Sequence, residues 1–120
     1  MAWELENGRP IYTQLLEQIE LKIISGEYEP GSRIPSVREL AAEAAVNPNT
    51  MQRAMAELEN RGFIITNRTS GRIVTEDEKV ISALKQSKAL NFTEDYIEHM
   101  TMLKYCKEDM IQFIKEGMKE

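Results

Sequence analysis

The first regular pattern of apolar residues lies near the N-terminus, where they recur every four positions at Ile11, Leu15, Ile19 and Ile23. This spacing is typical of an amphipathic α-helix with one buried face. Pro10 suits the first turn of such a helix, and Gly26 suits its end. We therefore predict a first helix over residues 10–25.

The segment Ala44–Met55, "AAVNPNTMQRAM", interrupts a run of helix-forming residues with Asn-Pro-Asn and then resumes it. Asn47 is a good N-cap because its side-chain oxygen can accept from N–H groups of the next turn, and Pro48 fits the first helical position. Upstream, Ser36 and Glu39 have the spacing of a capping box. The pattern predicts two short helices, over residues 37–45 and 48–60, joined by a tight turn.

Apolar residues fall where these two helices must pack together, at Leu40, Ala44, Val46, Met51 and Ala54. Two β-prone runs, "FIIT" and "RIVT", then flank "NRTSG" and predict a hairpin. Three helices and a hairpin, with a tight turn between the second and third helices, describe a winged helix-turn-helix. The sequence thus predicts a mostly α fold with a small β-hairpin, in which residues 1–75 form the winged helix-turn-helix domain.

A second apolar stripe follows the polar joint at residues 75–78. We predict a weak helix over residues 79–90 and a long helix starting from a second capping-box spacing at residues 91–94. Its apolar side carries Ile97, Met100, Leu103, Cys106, Met110, Ile114 and Met118. A lone helix hairpin cannot bury this stripe, so we expect residues 76–120 to be a two-helix dimerisation region. The predicted dimer interface consists of Ile97, Met100, Leu103, Met110 and Ile114.

The charges are unevenly distributed along the chain. The net charge is −5, yet residues 33–72 hold six Arg and four Glu and sum to +2. Arginine makes forked hydrogen bonds to phosphate and to guanine. This cluster is therefore the candidate for a nucleic-acid contact, despite the acidic total.

The sequence offers few other residues that could take part in catalysis or metal binding. Cys106 is the single cysteine, which makes a reducing cytosol the default, and we expect it to be an apolar filler in a helix. The lone His99 has no second His or Cys nearby and makes a poor metal site. No nucleophile with an adjacent base is discernible, so we expect no enzyme activity and no cofactor. No apolar run approaches the ~20 residues needed to span a bilayer, and the N-terminus lacks secretory features, so we expect a cytoplasmic protein without membrane contact.

The position of each polar residue in the motif predicts which part of the DNA it contacts. The N-terminal residues of the second helix of the pair meet base edges in the major groove, where Arg53 can fork onto guanine and Gln52 can pair with adenine. We expect Asn49, Thr50 and free N–H groups at that helix start to hold a phosphate. The other predicted contacts, around the preceding helix and the hairpin, are Arg33, Ser36, Arg38, Arg68, Ser70, Gly71 and Arg72.

The order of parts over residues 10–75 closely resembles the GntR family of bacterial transcriptional regulators. The matching residues include Pro10-Ile11-Tyr12, Pro35–Ala41, Asn47–Thr50, Arg53-Ala54 and Gly62. The resemblance implies that Arg38, Thr50, Arg53 and Gly71 contact DNA. The wing departs from the family's usual Gly-x-Gly-Thr-Phe-Val, since Thr69–Val74 here reads "TSGRIV" and matches at one glycine.

The short segment after the wing resembles the YtrA-like subfamily, whose members often regulate neighbouring transporter operons. This resemblance implies a dimeric repressor that binds a palindromic operator in double-stranded DNA. A small-molecule effector is left open, because the methionines of the last helices suit either a ligand pocket or a helix interface. The alternative is a winged-helix module whose arginines bind an acidic protein partner. Gln52 and Arg53 at groove-reading positions favour DNA.

Overall fold

The computed structural model describes residues 3–69 and 71–119 of the chain. The elements in chain order are α1 (Ile11–Ile24), α2 (Val37–Ala44), α3 (Pro48–Asn60), β1 (Ile64–Asn67), β2 (Gly71–Val74), α4 (Glu78–Met102) and α5 (Lys107–Gly117). They form two compact units, one ending at Leu84 and the other beginning at Lys85. The units divide after Leu84, rather than after residue 75, because three apolar residues at the start of α4 pack against the first core, namely Val80, Ile81 and Leu84.

A cap and a left-handed residue set the bounds of α2. The Oγ of Ser36 accepts from the Glu39 N–H at 3.2 Å, and the Glu39 carboxylate accepts from the Ser36 N–H at 3.4 Å, which confirms the predicted capping box. The helix ends one residue earlier than predicted because Ala45 has a left-handed φ of +57°. The Val46 N–H then bonds back to the Ala41 carbonyl at 3.0 Å. This is a Schellman ending with alanine at the position where glycine is usual.

The helix α3 begins and ends where the sequence predicted. The Oδ1 of Asn47 accepts from the Asn49 N–H at 2.7 Å, and Pro48 occupies the first turn. After Asn60, Gly62 takes a φ of +85° and ends the helix. The predicted hairpin follows, with β1 and β2 paired antiparallel over their full lengths.

The core of the first unit fixes how α2 and α3 pack. The buried residues at their contact include Leu40, Met51 and Ala54, each with no exposed surface. Ala41 is also buried, as expected for a small residue where two backbones approach. On the other side, α1 contributes Leu15, Leu16, Ile19 and Ile23 to the same core. Burying side chains of this size stabilises the fold by about 1.5–3 kcal/mol each.

The prediction of a helix start at residues 91–94 is wrong, because α4 runs through this segment without a break. The Thr93 hydroxyl does not cap a new helix. It donates instead to the Ala89 carbonyl one turn earlier, at 2.7 Å. A Thr side chain can bond in this way inside a helix, and no Gly or Pro lies in the segment to force an end.

The prediction of one continuous apolar stripe is also wrong, because the chain turns between α4 and α5. Lys104 adopts a left-handed φ of +71°, and the Tyr105 N–H bonds back to the Met100 carbonyl at 3.1 Å. The Cys106 N–H then donates to the Asp109 carboxylate at 3.2 Å as α5 begins. Cys106 is therefore an exposed residue at a helix start, and the expectation of a buried apolar filler is wrong.

Few contacts hold the second unit together. The Tyr96 hydroxyl donates to the Met110 carbonyl at 2.8 Å, and the rings of Tyr105 and Phe113 meet edge to face with centroids 5.0 Å apart. Among the described residues of α4 and α5, none is buried. Within the described ranges, no helix is long and apolar enough to cross a membrane.

We expect Ala45→Gly to stabilise the protein by about 0.5–1 kcal/mol, because a non-glycine residue in the left-handed region is strained by about 1–2 kcal/mol. Denaturant unfolding measures the change. The matched control is Ala42→Gly, an exposed helical site of α2, which should destabilise by about the same amount. A loss of stability in both variants would contradict the left-handed assignment of Ala45.

Candidate nucleic-acid interface

The exposed face of α3 carries the residues predicted to read bases. Asn49, Gln52 and Arg53 are exposed, and Thr50 is half-buried. Positions three and four apart share one face of a helix, so residues 49, 52 and 53 lie together. The opposite face is buried in the core and fixes the rotation of α3, which turns this polar face to solvent.

The N–H groups at the start of α3 are not free, contrary to expectation. Pro48 has no N–H, and the Asn49 N–H is bonded to the Asn47 side chain. The Thr50 N–H bonds to the Asn47 carbonyl at 3.0 Å. The strong local cap has used the donors that were expected to hold a phosphate, so any contact by Asn49 or Thr50 is made through the side chains.

The start of α2 offers the donors that α3 lacks. The N–H groups of Val37 and Arg38 have no acceptor within residues 3–69 and 71–119. Both residues line a cleft of about 440 Å³ that brings together α2, α3 and the hairpin; its lining consists of Arg33, Pro35, Ser36, Val37, Arg38, Gln52, Thr66, Gly71 and Arg72. Free N–H groups and the positive end of the helix dipole favour an anion here.

Arg33 reaches the hairpin through backbone pairing that the sequence did not predict. It forms an isolated antiparallel bridge with Ile73 of β2. Its Nε would lie 3.9 Å from a Cβ on Gly71, whose φ is +81°. A single bridging residue in a loop has no pattern by which it could be found from sequence.

The arginines of the predicted cluster divide into two groups. Arg61 is paired with the buried carboxylate of Glu20 at 3.4 Å, and Arg72 with Glu59 at 3.3 Å. Four others make no ion pair with any residue in the described part of the chain: Arg33, Arg38, Arg53 and Arg68. The cations of this second group remain available for an external anion.

The Glu59 carboxylate organises the side of the cleft next to the hairpin. It accepts from the Thr66 hydroxyl and from Arg72 Nε. These hydrogen bonds, the Thr66 bond first, hold the pKa of Glu59 below its ordinary value. A lowered pKa in the folded state stabilises the fold above the ordinary pKa of the carboxyl, and this contribution is lost as the pH falls.

More than half of the predicted contact residues line this one cleft. Arg68 lies exposed at the tip of the hairpin, whereas Ser70 lies outside the described residues. Sequence reasoning missed Val37 and Thr66, which line the cleft beside the predicted residues. The capping box pointed to the free N–H of Val37, because the first N–H groups of any helix lack an intrahelical partner.

Comparison with known proteins shows the family to which the chain belongs. Residues 11–74 match the family described as bacterial regulatory proteins, gntR family. The uncharacterized HTH-type transcriptional regulator YhcF of Bacillus subtilis (strain 168) is 35% identical over 112 residues, which cover 93% of each chain. The chain belongs to the GntR family. Its family and relatives are transcriptional regulators, not enzymes.

Further GntR relatives and solved structures agree with the predicted fold. The HTH-type transcriptional repressor YtrA of Bacillus subtilis (strain 168) is 43% identical over 73 residues, 61% of this chain and 56% of that protein. A GntR family transcriptional regulator from Listeria monocytogenes has a TM-score of 0.87 and 41% identity, covering 93% of this chain and 98% of that one. AraR(DBD) in complex with operator ORX1 has a TM-score of 0.56 and 27% identity, covering 62% and 99%. The predicted winged helix-turn-helix and family are confirmed.

We expect Glu59→Gln to strengthen binding of this GntR protein to a random-sequence duplex, because the neutral amide holds Arg72 less strongly than the carboxylate does and no longer offsets its charge. The slope of log affinity against log salt should steepen by about one, the value for one added phosphate contact. Fluorescence anisotropy at several salt concentrations measures both.

The control Glu98→Gln removes the same charge from an exposed site on α4. Identical salt slopes for the two variants would mean that Arg72 does not reach the DNA.

Proposed function

We propose that this chain is a cytoplasmic, homodimeric repressor that binds a palindromic operator in double-stranded DNA, without a cofactor. The observation that carries the proposal is the set of four arginines around α2, α3 and the hairpin that make no ion pair with the residues the structure describes. Four cations in one compact unit of an acidic protein suit a polyanion better than a neutral partner. A related domain, AraR(DBD), has been solved in complex with operator ORX1.

In this proposal α3 lies in the major groove and reads the base edges. Arg53 pairs with guanine and Gln52 with adenine, the forked contacts that these side chains make best. Asn49 and Thr50 hold the neighbouring phosphate through their side chains, since their N–H groups are bonded to Asn47.

The cleft at the start of α2 holds the DNA backbone. The N–H groups of Val37 and Arg38 are the donors for one phosphate, helped by the helix dipole. The residues around α2 and the hairpin that would approach the flanking phosphates and the adjacent groove are Arg33, Ser36, Arg38, Arg68, Ser70, Gly71 and Arg72. Contacts of this kind set the register of the protein on DNA without reading its sequence.

Dimerisation is proposed for the second unit because its large apolar side chains are exposed. Ile97 and Ile114 are each 46% exposed, and Leu103 is 65% exposed. Met100 and Met110 are half-buried. We propose that these five residues contact a second copy of the chain, which would present two α3 helices to the two half-sites of a palindrome. The resemblance to YtrA-like repressors makes a neighbouring transporter operon the candidate target.

A salt series and a competition experiment test this function. The probe is the duplex that the protein selects from a random-sequence library, compared with a shuffled duplex of the same composition. We expect steep salt dependence with both duplexes and a preference for the selected one. Failure to select any duplex would contradict the proposal and favour the module that binds an acidic protein.

We expect Arg53→Ala to weaken binding to the selected duplex by about 1–3 kcal/mol and to flatten discrimination at one base pair. Arg38 is a phosphate contact in this proposal, so Arg38→Ala should weaken binding to the selected and the shuffled duplex alike. Binding to a panel of single-base-pair variants separates the two effects. An unchanged base preference in Arg53→Ala would remove Arg53 from the reading residues.

We expect the double variant Ile97→Asp with Leu103→Asp to sediment as a monomer. Both side chains are exposed in the chain described here, so the helices should persist, while two unpaired charges in an interface cost at least about 3 kcal/mol. The matched control, Asn91→Asp with His99→Asp, changes exposed residues outside the proposed interface. A dimeric Ile97/Leu103 variant, or a monomeric control, would place the contact elsewhere.

A further inference from the structure

The guanidinium of Arg53 lies over the ring of Tyr12. The Cζ of Arg53 is 3.8 Å from the ring centroid, well inside the range of a cation–π contact. Tyr12 comes from the first turn of α1 and is half-buried, whereas Arg53 is exposed on α3. The stack therefore joins a half-buried residue of α1 to a residue on the face of α3 that meets solvent.

This contact leaves the hydrogen-bonding capacity of Arg53 unused. Stacking involves the flat face of the guanidinium, whereas its five N–H donors lie along the edge. The Arg53 side chain makes no hydrogen bond or ion pair with the residues described in the structure. Arg72, in contrast, donates from Nε to Glu59 at 3.3 Å.

A carboxylate on the same surface as this stack has another partner. Glu57 lines the same shallow surface as Tyr12 and Arg53. Its Oε2 lies 3.9 Å from Nε of Arg61, which follows it by one helical turn. Arg61 thus competes for the carboxylate that could otherwise hold Arg53 in an internal ion pair.

We propose that Tyr12 is a positioning residue for base reading: its ring supports one face of the Arg53 guanidinium and leaves the N–H edge for a base. The proposal rests on the proposed function, in which Arg53 reads guanine. A long side chain loses conformational freedom when it binds, and a side chain already held in place loses less. Tyr12 then contributes to affinity and base preference without touching the DNA.

The test compares Tyr12→Leu, which removes the π-face but keeps an apolar side chain, with Tyr12→Phe, which keeps the π-face and removes the hydroxyl. The probes are the duplex selected by the wild-type protein and its shuffled form. We expect Tyr12→Leu to weaken binding to the selected duplex about three- to tenfold. Binding to the shuffled duplex should change much less, and Tyr12→Phe should restore most of the selected-duplex affinity.

Two further readouts distinguish positioning from general structural support. In an Arg53→Ala background, Tyr12→Leu should produce no additional loss, because the residue through which it acts is gone. On the panel of single-base-pair variants, Tyr12→Leu should flatten discrimination at the same base pair as Arg53→Ala. Its salt slope should equal that of the wild type, because no phosphate contact is lost.

Tyr28→Leu is the matched control for the loss of a half-buried aromatic residue. The Tyr28 ring packs against the core of the first unit and lies 5.5 Å from Nζ of Lys22, in another cation–π contact. We expect this variant to lower the midpoint of denaturant unfolding without changing base discrimination. Flattened discrimination in Tyr28→Leu would show that reduced stability alone explains the Tyr12 result, which would overturn the proposal.

Other outcomes also overturn it. Unchanged or tighter binding by Tyr12→Leu would mean that the stack is irrelevant or competes with the DNA contact. An equal loss in the Arg53→Ala background would mean that Tyr12 acts independently of Arg53. If the wild type selects no duplex, the proposed function fails together with this inference. The wild type could instead select a duplex, with Arg53→Ala flattening discrimination at one base pair and Tyr12→Leu leaving that discrimination unchanged. In that case only the inference about Tyr12 fails.

Discussion

The turn between α2 and α3 is the constraint on which the remaining structure depends. Ala45 in a left-handed conformation ends α2, and Asn47 with Pro48 begins α3 two residues later. The fully buried Leu40 and Met51 then hold the two helices against one another. Because the buried face of α3 is fixed, its polar face and the start of α2 are presented from one rigid unit. The helix caps therefore determine the geometry of the proposed DNA surface as well as the stability of the fold.

The distribution of internal ion pairs explains how a protein with a net negative charge keeps arginines available on one surface. Carboxylates form ion pairs with Arg61 and Arg72 and hold these two side chains in position. Four other arginines have no such partner in the described chain. An arginine that already donates to a carboxylate has part of its charge offset and fewer N–H donors left for a phosphate. The four arginines without an ion pair in the described chain keep their full charge and all their donors. Composition alone cannot distinguish the six arginines of residues 33–72. Their ion-pair partners in the folded chain distinguish them.

The second unit has the opposite character, since none of its described residues is buried and several large apolar side chains are exposed. Its helices are joined by the Tyr96 hydroxyl bond and the Tyr105–Phe113 ring contact, while large side chains such as Leu103 remain exposed. Such a surface is costly in water unless it is covered. A second copy of the chain is the partner we propose, and it would also supply the second α3 that a palindrome requires.

The sequence by itself determined the features that arise between near neighbours. The capping box of Ser36 and Glu39, the restart at Pro48 and the hairpin follow from contacts within a few residues, and the structure confirms all three. The tertiary structure decided what depends on competition or on distant contacts. Thr93 could cap a helix or bond within one, and Lys104 ends α4 without the glycine that would have revealed the turn. The stack of Arg53 on Tyr12 joins residues brought together only when α1 packs against α3, so no local pattern encodes it.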